Sequence, residues 1–169
     1  MNMFQTLDGF FTLWNFEADA TQKILDQLTD ESLTQEVTPD NWTLGRIAWH
    51  TVTAIGVITS RTGLSFDAPN QDYPVPTSAK FISESYQKAR SALAQAIENQ
   101  WTDKNLGEAR DFFGQRMSNS ELLFFMIQHQ IHHRGQMTIL MRQAGLTVPG
   151  LYGPSKEEWA KIGMEAPKM

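Results

Sequence analysis

A chain of 169 residues, 41% hydrophobic and 20% charged, buries a core of single-domain size without covalent staples, so one domain over 1–169 is expected. Cysteine is absent, which excludes a disulfide framework, a protein thiolate nucleophile and cysteine-ligated zinc or iron–sulfur clusters. The net charge of −5, with basic residues scattered rather than gathered into a run, argues against nucleic acid as a partner.

No basic n-region opens the chain, and Asp8, Glu17 and Asp19 interrupt its apolar start, so no signal peptide is read there. No segment approaches the ~18 uninterrupted apolar residues of a membrane span. A cytoplasmic protein without a membrane partner is the expectation.

From 3 to 28, Phe4, Leu7, Phe11, Trp14, Ala18, Thr21, Leu25 and Leu28 recur at alternating spacings of three and four, the period of an amphipathic helix. Pro39 and its polar neighbours end that pattern and begin a connection. A second helix is predicted from Thr43 to about Thr62, stopped by Gly63; it carries His50 on a side shared with Ile47, Ala54 and Val57. Pro69, Pro74 and Pro76 then make 64–76 a surface excursion.

Thr77 or Ser78 caps a third helix to about Gln100, with Phe81 or Ile82, Tyr86, Ala89, Leu93 and Ile97 inward. The stretch 101–117 has no clean period and reads as an irregular segment in which Leu106, Phe112 and Phe113 are covered by the bundle. Ser118 followed by Glu121 is a capping box that opens a fourth helix ending at Arg142 and Gly145. Ser155 and Glu158 repeat that spacing and predict a short C-terminal helix docked by Trp159 and Ile162. Four long helical patterns without alternating strands make an all-α four-helix bundle the predicted fold class.

The fourth helix carries three of the four histidines. His129 and His133 are one turn apart on the stripe Leu122, Met126, His129, His133, Leu140, so both imidazoles head for the core. Each buried ring needs its donor and acceptor satisfied, and one shared cation answers both demands. The bland alternative is two histidines hydrogen-bonded in a polar layer of the core. Position 130 is Gln, so the zinc-protease pattern, with its glutamate general base, is absent. His132 lies about 60° from His129 and about 100° from His133 around the helix, which assigns it a supporting, interface or solvent role. Arg134 is also off the stripe and reads as a surface or interface ion pair. Gly135 permits a close helix approach, and Gln136 can hydrogen-bond a ligand from outside.

The string HQIHHRGQM, with the upstream NWTLGRIAWHT, resembles the DinB/YfiT-like family of metal-binding four-helix bundles. The resemblance covers most of the chain. It implies His50, His129 and His133 as the three ligands of one divalent metal, with water completing the site, and a homodimer. Three imidazoles with open positions suit Zn²⁺, Ni²⁺ or Fe²⁺ and a catalytic rather than a closed structural site.

Relatives in that family include thiol-dependent transferases, which implies transfer of a low-molecular-weight thiol, such as bacillithiol or mycothiol, to a small electrophile. With no cysteine in the chain, the sulfur must come from that cosubstrate. Two alternatives stand beside it: a metal-dependent hydrolase of a small substrate, and a non-enzymatic, metal-stabilised dimeric stress protein. No catalytic side chain beyond the ligands is identified. Substrate choice is expected in 64–76 and 101–117, and Trp14, Trp42, Trp49 or Trp101 can wall a pocket.

Overall fold

The computed structural model describes residues 3–168. Its four long helices are α1 (Leu7–Leu25), α2 (Leu44–Thr59), α3 (Ala79–Gln100) and α4 (Asn119–Gln143). Each starts on a hydroxyl that accepts a first-turn amide: Thr6 from Gly9, Thr43 from Arg46, Ser78 from Phe81 and Ser118 from Glu121. These bonds satisfy amides that have no partner inside the helix, and that explains why all four helices begin where they do. At α4 the Glu121 carboxylate returns the favour to the Ser118 amide at 2.8 Å, completing the predicted box.

Around the bundle the order is α1, α4, α2, α3, each helix packing on two neighbours. The predicted inward face of α3 is the observed one: Ile82, Tyr86, Ala89, Leu93 and Ile97 are buried, and Phe81 is turned outward. In α1 the periodicity holds, but the helix begins at Leu7 rather than at residue 3. The Phe4 amide donates instead to Ser120 Oγ at 2.6 Å, and that hydroxyl donates back to the Phe4 carbonyl. Phe4 is thereby pinned to α4. Among the described residues no helix is long and apolar enough to cross a membrane.

Three expectations are corrected. The stretch after α3 is ordered: a 3-10 turn at Asp103–Gly107 precedes an antiparallel hairpin of β1 (Ala109–Phe112) and β2 (Gln115–Ser118). Phe112 is covered, whereas Phe113 at the hairpin tip is 86% exposed. The C-terminal helix is a single 3-10 turn, Trp159–Ile162, and Ile162 faces solvent. The Glu158 carboxylate there accepts from the Ser155 and Gly150 amides, so the capping pattern folds a turn and not a helix. Docking of this tail falls to Val148, which is buried, and to Tyr152.

Candidate metal centre

Packing of α2 on α4 brings His50 edge-on to His129 and His133. One ring nitrogen from each of the three lies within 4.8 Å of the others. His50 Nε2 is 2.9 Å from His129 Nε2, which is 3.2 Å from His133 Nε2. Two nitrogens bound at about 2.0–2.1 Å to one ion sit about 2.9 Å apart in octahedral and about 3.3 Å apart in tetrahedral geometry. Both separations fall in or at that interval and the third pair lies within 4.8 Å, so His50, His129 and His133 could hold a divalent cation.

Proton chemistry supports the fit. His133 Nδ1 donates to Gln136 Oε1 at 2.7 Å, because a carboxamide oxygen can only accept. A neutral His133 therefore presents the bare lone pair of Nε2 to its neighbours. His129 Nε2 belongs to both short contacts and carries one proton at most, which can point squarely at only one neighbour. A shared cation resolves that conflict.

Burial is the largest influence on all three rings and favours the neutral form. His50 is lowered to about 4, with further contributions from the charges of His133 and Arg46. His129 is also lowered to about 4, by burial and then by His133, His50 and His132. His133 is lowered by burial, against an upward pull from the Gln136 hydrogen bond. Neutral imidazole is the metal-binding form.

The family model for the DinB family matches residues 3–169. The chain belongs to the DinB family. It is 70% identical to YrdA of Bacillus subtilis (strain 168), over 99% of this chain and all of that protein. A crystal structure of a DinB-like protein from Bacillus cereus ATCC 10987 is similar at 59% identity and a TM-score of 0.87, covering 89% of this chain and all of that one. A second DinB-like structure, YjoA of Bacillus subtilis, shares the fold at 14% identity and a TM-score of 0.67, over 86% of this chain and 99% of its own.

This DinB-family chain walls its imidazoles with aromatic rings. Trp42 lies stacked over His133 at a ring separation of 6.5 Å and edge-on to His50 at 5.2 Å, with Phe125 against His129 at 5.8 Å. The Arg46 guanidinium sits 5.0 Å from the Trp42 ring, on the α2 face one turn before His50. Of the four tryptophans singled out above, Trp14, Trp49 and Trp101 are core, and Trp42, 48% exposed, is the one that borders the histidines. His132 stays on the outer face, its ring 5.0 Å from His133 and outside the convergent group.

The role expected for Arg134 is corrected. Its side chain is 1% exposed and forms an ion pair with Glu17 of α1, itself 5% exposed. The guanidinium also donates to the Glu17 carbonyl and to Thr21 Oγ1, and Tyr152 Oη donates to Glu17 Oε2 at 2.7 Å. Gln130 Oε1 accepts from Tyr86 Oη at 2.7 Å and from Thr21 Oγ1 at 3.1 Å, joining α3 to the same layer. Sequence periodicity could not find this layer, because its partners lie more than 100 residues apart in α1 and α4. Gly135 also departs from expectation: a Cβ there meets nothing within 4 Å among the described residues, so no neighbouring helix packs closely on it.

Proposed function

We propose that this protein is a metal-dependent transferase that joins a low-molecular-weight thiol to a small electrophile, with His50, His129 and His133 holding the metal. The observation that carries the reading is the convergence of three neutral imidazole nitrogens at 2.9 and 3.2 Å on one partly open point. Zn²⁺, Ni²⁺ and Fe²⁺ all suit three nitrogens with open positions. A cation held there supplies Lewis acidity, which lowers the pKa of a thiol placed beside it.

The chain's own groups contribute around that point. Gln136 holds the His133 ring with Nε2 inward. Trp42, half exposed, covers one side of the His133 ring. Arg46 adds a positive charge beside His50, favouring thiolate over thiol. In the reaction a sulfur–carbon bond forms as the bond from carbon to its leaving group breaks, and the thiol proton departs with that group. The chain contains no cysteine, so the sulfur belongs to the cosubstrate.

The test substitutes cobalt in the purified protein and titrates small thiols while recording the metal's visible spectrum, with His50→Ala and His133→Ala in parallel. The reading expects a thiol-dependent spectral change in the wild type, loss of bound cobalt in both variants, and a thiol conjugate of a model electrophile. Bound cobalt with no thiol response and no conjugate overturns the transferase reading. A variant that loses metal and unfolds together assigns the cation a structural role.

A further inference from the structure

A cleft of about 820 Å³ opens between the second half of α2, the connection 64–71 and the tip of the hairpin. Its volume lies within the range of small-molecule sites, about 300–1,000 Å³. Val57, on its wall, follows His50 by seven residues, two turns or about 10 Å along the same face of α2. From the other wall a run of ring contacts leads to the histidines: Phe112 on Phe125 at 5.7 Å, then Phe125 on His129 at 5.8 Å. The floor is closely fitted, since a Cβ at Gly56 would lie 2.8 Å from Ala68 Cβ.

Phe113, on the rim, is the residue that folding does not explain. With Phe112 paired to Gln115, Phe113 and Gly114 form a two-residue turn with φ of 51° and 78°. Positive φ at both positions is the primed hairpin turn, for which Asn-Gly is the low-cost sequence and a bulky aromatic first residue is strained. Phe113 also leaves 86% of its surface in water, resting edge-on against Phe112 at 4.7 Å. Neither backbone preference nor burial selects Phe at this position.

Charge narrows the ligand. The two charged side chains on the cleft wall are Asp111 and Arg61. Asp111 Oδ1 accepts from the Gly114 amide at 3.4 Å, within the turn. Arg61, exposed, has no carboxylate partner among the described residues. We infer that the cleft binds a small molecule with a flat aromatic body and an anionic group, the ring against Phe112 and Phe113 and the anion on Arg61. Its role as the electrophile's seat rests on the transferase reading; its capacity to bind rests on the cleft alone.

The experiment titrates 2-naphthoate into the full-length protein, following amide shifts by ¹H–¹⁵N NMR and affinity by calorimetry, with neutral 2-naphthalenemethanol as the comparator. Shifts are expected in the hairpin, in 64–71 and at the end of α2. Phe113→Asn is expected to weaken naphthoate about tenfold, the scale of one aromatic contact, while melting at an equal or higher temperature. Arg61→Gln is expected to weaken naphthoate and leave naphthalenemethanol unchanged.

Shifts that map elsewhere, wild-type affinity in Phe113→Asn, or equal effects of Arg61→Gln on both compounds would overturn the inference. The titration is repeated on the wild-type protein stripped of metal with a chelator and is expected to give the same naphthoate affinity. Failure of the metal reading therefore leaves the naphthoate result standing, and failure of the cleft leaves metal content unaltered.

Discussion

Gln136 accepts a 2.7 Å hydrogen bond from Nδ1 of His133, one turn before it on α4, and so decides which face of that imidazole is a lone pair. Gln136 is exposed, and its value to the fold is small. Gln136→Ala is therefore expected to lower metal affinity by about 10- to 100-fold, the usual effect of losing a ligand's outer partner, with little change in unfolding free energy. Competition with a coloured chelator measures the first and urea unfolding of the metal-free protein the second.

The Arg134–Glu17 pair gives the opposite pattern. Both side chains are sealed from water, so Arg134→Met strands the Glu17 carboxylate in the core and is expected to destabilise the protein by about 3–5 kcal/mol. Replacing both with apolar residues of similar volume recovers most of that loss. Urea midpoints of the single and double variants check this. Metal stoichiometry at neutral pH, under conditions where each variant remains folded, should not move, because neither side chain belongs to the histidine group.

The metal-free protein should lose stability as the pH falls. His50 and His129 drop from an ordinary 6.5 to about 4 on folding, chiefly through burial. Between those values the unfolded chain binds more protons than the folded one, so stability rises with pH. The contribution is fully present above 6.5 and lost as the pH descends through about 4. Urea midpoints at neutral pH, in the middle of that window and near its lower end should decline more steeply in the wild type than in a His50→Ala/His129→Ala variant. Parallel declines would contradict the burial of these rings.

What the sequence made legible was local. The capping box of Ser118 and Glu121, the stop at Gly145 and the inward row of α3 follow from spacings of three and four, and each is found as read. His129 and His133 were paired by the same arithmetic. His50 reached them by a family resemblance, since no period relates residues 79 positions apart.

The unread parts depend on contacts made across the bundle. Arg134 looked like a surface residue because its partner, Glu17, is on another helix, and a single helical stripe says nothing of a second, polar layer behind it. The hairpin escaped because four-residue strands reading ARDF and QRMS contain no β-branched residue and are joined by Phe-Gly rather than Asn-Gly. Trp42 was one of four equivalent tryptophans until packing placed it over His133.

The central claim is that three imidazoles share one divalent ion. Crystals of the protein grown with cobalt, with diffraction recorded on either side of the cobalt absorption edge, test it most directly. The account predicts one anomalous peak per chain, about 2.0–2.1 Å from Nε2 of His50, His129 and His133. No peak at that point, or a peak on His132 with the other rings merely hydrogen-bonded to one another, would contradict it.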